Sequence, residues 1–169
     1  ANTSDTPENY LASPSYQKTS QRLQFNANGK FKIVQFTDVH WAPGNAASEV
    51  AAERIAEVLD AEQPDFIEFT GDVIWGKPGM ESLKRTFAPV VERNIPFAMT
   101  FGNHDAEQDL SRKDIHERLK EFAGNLNGTV EGLNGVSNFI LPIRSSDGSK
   151  DAFILYHFDS LTYSPMKEQ

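Results

Sequence analysis

The fold of this chain follows from the stretch Val34-Gln35-Phe36-Thr37-Asp38-Val39-His40-Trp41. Its apolar side chains continue a β-rich run, which predicts a buried strand over residues 32–37. The run stops at a carboxylate and an imidazole, and an extended backbone would point Asp38 and His40 the same way. An oxygen donor and a nitrogen donor at one point form half of a divalent-metal site. We therefore expect the end of this strand to lie at the functional site.

Two later strand-like runs also end in polar residues. Residues 66–70 lead into Gly71-Asp72, and residues 94–101 lead into Gly102-Asn103-His104-Asp105. A helix predicted over about 48–62 separates the first two strands, so the order is that of a parallel βαβ unit. Because parallel strands end on one rim of a sheet, we expect the three polar motifs to converge there.

The rest of the chain predicts an alternation of helices and strands. Ser48 is the predicted N-cap of the first helix, and Pro89 should kink the second helix or mark its boundary. Turns at residues 26–29 and 146–148 are typical of hairpins. The other predicted elements are a strand at 22–26, helices at 81–93 and 111–122, and strands at 137–143 and 152–158.

The first 21 residues differ in composition from the remainder. Residues 1–21 are rich in Ser, Thr, Asn, Gln and Pro, which predicts a poorly ordered leader. The chain begins without Met, so we expect a processed or engineered start, and a secreted or extracytoplasmic location is one compatible interpretation. The absence of cysteine leaves the redox compartment undetermined.

Composition limits the classes of partner. The net charge of −8 argues against a nucleic-acid surface, which needs clustered Lys and Arg. It is compatible with a phosphate substrate, because bound cations would invert the local charge. No apolar run reaches the roughly eighteen residues that a membrane helix needs. Without cysteine, disulfides, thiolate zinc sites and cysteine nucleophiles are excluded. The oligomeric state is not predicted.

The three motifs together carry a family resemblance. In this order, Asp38-x-His40, Gly71-Asp72 and Gly102-Asn103-His104-Asp105 resemble the calcineurin-like metallophosphoesterase superfamily, most closely its purple-acid-phosphatase-related branch. The similarity extends more loosely to Phe158-Asp159-Ser160. The resemblance implies an α/β fold, a β-sandwich flanked by helices (α/β/β/α) that is apparently truncated. Residues 22–169 would be the amino-terminal portion of that domain.

The resemblance also implies a dinuclear-metal site. Asp38 and His40 would bind the first metal, Asn103 the second, and Asp72 would bridge the two. These oxygen and nitrogen donors suit two divalent or trivalent ions among Mn, Fe, Zn and Mg. The implied reaction is hydrolysis of a phosphate ester, either a monoester or a diester, by a metal-activated hydroxide.

Two residues of the third motif are implied to assist the phosphate. His104 would donate to the leaving oxygen or stabilise the developing charge, without binding metal. Asp105 would hold the other nitrogen of that imidazole.

The sequence also departs from the family pattern. Trp75 stands nearest to the position of the tyrosine that binds ferric iron in purple enzymes, so we expect no purple site. The family's later histidine and Gly-His-x-His are missing. His157 is interpreted as a core or edge residue of a strand, and His116 as a solvated residue of a charged helix.

Two alternatives to an enzyme remain open because of the missing histidines. One is a non-catalytic phosphate- or metal-binding module, and the other is a half-domain that needs those histidines from elsewhere. We expect residues 1–169 alone to bind metal weakly, to turn over phosphate esters poorly and to self-associate through an uncovered sheet edge.

Overall fold

A computed structural model describes residues 22–163, in which two three-stranded sheets and three helices are present. The predicted leader at residues 1–21 lies outside this range. In chain order the elements are β1 (Leu23–Gln24), β2 (Ile33–Phe36), α1 (Ala46–Glu62), β3 (Phe66–Thr70), α2 (Gly79–Glu92), β4 (Phe97–Thr100), α3 (Arg112–Leu119), β5 (Phe139–Arg144) and β6 (Asp151–His157).

The first sheet has the order β2-β3-β4, and its strands are all parallel. This confirms the predicted βαβ arrangement. Phe66, Ile67 and Phe69 of the central strand are fully buried. The prediction of a buried first strand is wrong, because within residues 22–163 β2 pairs with β3 alone and Ile33 is 39% exposed. The carboxyl ends of the three strands lie on one rim.

The second sheet has the order β1-β5-β6. β5 and β6 form the predicted antiparallel hairpin around residues 146–148, and β1 pairs in parallel with β5. The hairpin predicted at residues 26–29 is wrong. A turn does form there, with Gly29 N donating to Asn26 O over 2.9 Å. Asn26 N also donates to Lys30 O over 2.9 Å, but the strands on the two sides of the turn enter different sheets, because β1 pairs with β5 and β2 pairs with β3.

Two apolar clusters hold the layers together. The first joins β3 and β4 to all three helices and contains Ile55, Leu59, Ile67, Phe69, Leu83, Phe87, Val90, Phe97, Met99, Ile115 and Leu119. The second lies between the two sheets and contains Leu23, Phe66, Ala98, Leu126, Phe139, Leu141 and Ile143. Alternate residues of β3 face opposite clusters, as the two-residue period of a strand requires. The predicted α/β fold, with two sheets flanked by helices, is confirmed.

Side chains cap the amino ends of α1 and α3, and the residue that caps α1 is not the predicted one. Asn45 caps α1 through its side chain, which accepts from Ala47 N over 2.9 Å. Ser48 is buried within the helix, and its hydroxyl accepts from Ala42 N instead. The predicted cap at Ser48 is therefore wrong. α2 continues through Pro89 to Glu92, so this proline does not end the helix.

The third helix begins as predicted. Ser111 accepts from Asp114 N, and the Asp114 side chain accepts from Ser111 N, which forms a complete capping box.

The second sheet exposes aromatic side chains on and just after β6. Phe153, Tyr156 and Phe158 are 53%, 64% and 68% exposed. Self-association through this strand stays a prediction. Within the described range, no helix is both long enough and apolar enough to cross a membrane.

Candidate metal centre

The backbones that follow β2 and β3 run side by side beyond the strand ends. Asp38 N donates to Gly71 O over 3.1 Å, and His40 N donates to Asp72 O over 2.9 Å. These bonds continue the parallel pairing of the two strands into their loops. Two of the predicted motifs therefore meet through main-chain bonds.

The three candidate ligands adopt left-handed backbone conformations. The φ angle is 53° at Asp38, 46° at His40 and 52° at Asp72. Asp and His tolerate this region better than most residues, and such conformations concentrate at functional sites. The expectation that Asp38 and His40 converge because the backbone is extended is wrong. Their side chains meet although both residues have positive φ angles.

The side chains of these three residues form a group with the spacing of metal ligands. One ligand atom from each of Asp38, His40 and Asp72 lies within 4.8 Å of the other two. His40 Nε2 is 3.7 Å from Asp38 Oδ1 and also 3.7 Å from Asp72 Oδ2. These distances are too long for hydrogen bonds. Ligands about 2 Å from a shared cation lie roughly 3–4 Å apart, so this donor set fits a metal ion.

The third motif approaches Asp72 through a glycine. A Cβ atom at Gly102 would lie 2.1 Å from Asp72 Oδ1 and 2.4 Å from Asp72 N, which excludes any larger residue. The same carboxylate oxygen accepts a hydrogen bond from His104 N over 2.9 Å. Asp72 therefore lies next to residues of both other motifs, His40 and His104.

Asp105 organises the backbone beneath this group. Its buried carboxylate accepts four main-chain hydrogen bonds, from the N–H groups of Asp72, Val73, Ile74 and Gly102 at 2.7–3.1 Å. Burial raises the pKa of the Asp105 carboxyl above its ordinary value, while these four donors act in the opposite direction. The predicted contact between Asp105 and the His104 ring is wrong, because both carboxylate oxygens are used by the loops after β3 and β4.

Asp105→Ala is expected to lower the free energy of unfolding by at least about 3 kcal/mol, because each buried donor left without a partner costs about 1–3 kcal/mol. Urea denaturation at neutral pH measures this, with Glu131→Ala in an exposed loop as the control. A loss below about 1 kcal/mol would show that the loops do not depend on Asp105.

Glu107, and not Asp105 as predicted, contacts the His104 ring. Nδ1 of His104 is 2.6 Å from Glu107 Oε2. This hydrogen bond raises the pKa of His104 and lowers the pKa of Glu107. In the sequence Asn-His-Asp-x-Glu, two carboxylates follow the imidazole. The second one, Glu107, lies three residues after His104, and this spacing could have identified it as the partner.

Glu107→Gln is expected to lower the pKa of His104, since the amide cannot stabilise the imidazolium as a carboxylate does. An NMR titration of the metal-free chain measures this, and His116 serves as the internal control. The raised pKa means that the pair stabilises the fold below the unfolded-state pKa of His104 and loses this contribution as the pH rises through the folded-state value. An unchanged His104 titration would rule out Glu107 as the cause.

Asn103 is held by a residue that the sequence did not single out. Its side-chain nitrogen donates to the Tyr163 hydroxyl over 2.8 Å, and that hydroxyl donates to Glu107 Oε1 over 2.9 Å. The amide nitrogen of Asn103 is therefore bonded to Tyr163. Its role as a ligand of the second metal stays a prediction.

The two tryptophans beside the motifs have different environments. Trp41 is 1% exposed and pairs with Ile74 in an isolated parallel bridge, so it is a core residue. Trp75 is 45% exposed, and its ring lies 5.1 Å from that of His40 and 4.6 Å from that of His104. Only Trp75 borders the site.

The two remaining histidines lie inside the fold. His157 stacks on Phe139 and bonds to Glu68 over 2.7 Å between the sheets, which confirms its interpretation as a core residue. The prediction that His116 is solvated is wrong. His116 is 6% exposed on the inner face of α3, and burial lowers its pKa.

Known proteins are similar to this chain over the range that carries the three motifs. The family model described as calcineurin-like phosphoesterase matches residues 31–166. Phosphatase DCR2 of Saccharomyces cerevisiae is 34% identical over 168 residues, which are 86% of this chain and 29% of that protein. Two Arabidopsis thaliana proteins named probable inactive purple acid phosphatase 29 and 14 are 31% and 27% identical over 86% of this chain and 45% and 43% of their own lengths. The chain thus spans less than half the length of these relatives.

Because the family model covers most of the chain and includes all three motifs, this chain belongs to the calcineurin-like phosphoesterase family.

Proposed function

We propose that this chain forms the metal- and phosphate-binding part of a phosphoesterase that hydrolyses phosphate monoesters or diesters. The observation that carries this proposal is the group of Asp38, His40 and Asp72, with the backbone N–H of His104 bonded to the last of them. The family is one of metal-dependent phosphoesterases, so phosphate esters are the substrate class that it implies.

Each candidate ligand is assigned a role in this proposal. Asp38 and His40 would hold the first cation and Asn103 the second, with Asp72 offering one oxygen to each. Oδ1 and Oδ2 of Asp72 already face different neighbours, His104 N and His40 Nε2. When bound, two such cations would supply positive charge to the phosphoryl oxygens and an activated water as the nucleophile. The donors suit Mn, Fe, Zn or Mg.

His104 is suited to move a proton at the substrate. Glu107 occupies Nδ1, which leaves Nε2 to face the ester. The raised pKa keeps the imidazolium form to higher pH, so Nε2–H can donate to the leaving oxygen. Asp105 supports the site through the backbone, because it fixes the loops that carry Asp72 and Gly102.

A second candidate is a module that binds metal and phosphate without turnover. The names of two relatives favour it, since both are described as probable inactive phosphatases. Within residues 22–163, the group of acidic and histidine ligands has three members. A cation with few protein ligands keeps several waters and is held weakly.

The two candidates differ in binding and turnover, which can be measured on the same samples. Calorimetry with Mn²⁺ and Zn²⁺ would be combined with hydrolysis of p-nitrophenyl phosphate and bis-p-nitrophenyl phosphate. His40→Ala serves as the ligand variant. For residues 1–169 we expect slow metal-dependent hydrolysis that chelation and His40→Ala abolish. Metal and inorganic phosphate binding without hydrolysis would establish the binding module, and the absence of metal binding would contradict both candidates.

A further inference from the structure

Four side chains form one continuous chain of hydrogen bonds at the edge of the candidate metal centre. Asn103 Nδ2 is 2.8 Å from the Tyr163 hydroxyl, which is 2.9 Å from Glu107 Oε1. The other oxygen of Glu107 is 2.6 Å from His104 Nδ1. The chain begins at the predicted ligand of the second cation and ends at the predicted proton donor.

The chemistry of these groups allows only one direction for the bonds. The amide nitrogen of Asn103 can only donate, so the Tyr163 oxygen accepts from it. The hydroxyl hydrogen of Tyr163 then goes to the Glu107 carboxylate, which accepts at both oxygens. His104 therefore carries its proton on Nδ1. In this orientation the amide oxygen of Asn103 is not part of the chain of bonds and can be offered to a cation.

The segment that carries Tyr163 is anchored independently of these bonds. Asp159 is buried, forms an ion pair with Arg112, and accepts from Val136 N over 2.8 Å. Arg112 also donates to Gly102 O over 2.8 Å, so one guanidinium connects this segment to the loop before Asn103.

The backbone of the same segment is strained. Leu161 adopts a left-handed conformation with φ at 68°, which costs a non-glycine residue free energy and persists only when its surroundings enforce it. Leu161 N also donates to Asp159 Oδ1 over 3.0 Å, which ties the backbone two residues before Tyr163 to the anchored carboxylate.

We propose that Tyr163 is a positioning residue that orients the Asn103 amide toward a cation and holds Glu107 against His104. This inference rests on the proposed function for its chemical purpose. The hydroxyl acts through its two neighbours and does not need to touch substrate. It also makes the segment after β6 a part of the site, although every predicted ligand lies earlier in the chain.

Tyr163→Phe tests the proposal, because it removes both hydrogen bonds and keeps the ring. Tyr163 is 62% exposed, so the substitution should leave the fold intact, which thermal denaturation would verify. Tyr156→Phe is the matched control, because it removes a hydroxyl from a tyrosine that is 64% exposed on β6. Glu107→Gln is a second variant that weakens the same chain of bonds at its next member.

Two readouts need no turnover. The imidazole nitrogen NMR signals of the four histidines report whether His104 keeps its Nδ1–H tautomer in the metal-free chain. Calorimetry reports Mn²⁺ affinity. Groups that orient a ligand are worth about 10–100-fold in metal affinity or activity, so we expect a Mn²⁺ affinity loss of that size for Tyr163→Phe. We also expect a changed His104 tautomer population in both variants, and a lower kcat with little change in KM wherever turnover is measurable.

The outcomes separate this inference from the proposed function. Changed His104 signals and weaker Mn²⁺ binding, together with no hydrolysis by the unsubstituted chain, would support the positioning role and contradict the phosphoesterase. Tyr163→Phe that matches Tyr156→Phe in both His104 signals and Mn²⁺ affinity would overturn the positioning role, whatever the turnover.

Discussion

Asp72→Asn is expected to weaken metal binding more than about 100-fold and to abolish measurable phosphate-ester hydrolysis. Groups that merely orient a ligand are worth about 10–100-fold in metal affinity, and a residue that contacts both cations must be worth more. Asp72 is the only candidate ligand that is assigned to both cations.

Asparagine is the sharpest replacement at this position. It tolerates the left-handed backbone that Asp72 adopts at a φ of 52°, so the substitution adds little strain. It can also keep an oxygen at the Oδ1 position, which accepts from His104 N. What it removes is the negative charge and the second oxygen, 3.7 Å from His40 Nε2. A loss of metal binding can then be attributed to the carboxylate.

The measurement is metal stoichiometry and affinity for Mn²⁺ and Zn²⁺, with turnover of an aryl phosphate followed in parallel. Asp60→Asn is the matched control, because it removes an exposed carboxylate that bonds to Arg93, away from the strand ends. Normal metal content and turnover in Asp72→Asn would show that the bridging role is wrong.

His104→Asn is expected to lower kcat by about 10²–10⁴-fold while metal content is retained, which is the usual contribution of a positioned acid or base. His104 contacts Asp72 through its backbone N–H, and this bond survives any side-chain change. Its ring bonds to Glu107 at Nδ1, so the substitution removes the proposed proton donor without removing a predicted ligand.

Two measurements on one sample distinguish the roles open to His104. Mn²⁺ affinity measured by calorimetry reports whether the ring is a ligand, and single-turnover kinetics report whether it takes part in the chemical step. If metal is lost together with activity, the assignment to the phosphate fails and His104 becomes a ligand. Comparison with Glu107→Gln would show how much of the effect depends on the orientation of the ring.

The sequence alone determined the order of the strands and the position of the candidate metal group. β3 spans residues 66–70 as its apolar pattern predicts, and it runs into Gly71-Asp72. Strand-helix-strand order favours a parallel sheet, and the strands of a parallel sheet end on one rim. These rules are local or topological, so the approach of Asp72 to Asp38 and His40 could be predicted without coordinates.

Tertiary structure decided which side chains support that group. The sequence places Asp105 next to His104, yet Asp105 turns inward to four backbone N–H groups and Glu107 takes the imidazole. Sequence proximity did not distinguish the two carboxylates, because the choice depends on which one the loop after β4 buries. The role of Tyr163 could not be predicted from the sequence either, since its partners lie 56 and 60 residues earlier in the chain.

The same distinction explains the errors in local structure. The turn at residues 26–29 has the composition of a hairpin, but its flanking strands enter different sheets because their partners β3 and β5 lie far away in sequence. His116 belongs to a charged helix, but α3 turns it inward. Period and turn chemistry therefore determined where strands and ligands occur along the chain. The packing of the two sheets and the helices determined the long-range partners. Those contacts join residues that are distant in sequence, and local sequence patterns do not predict them.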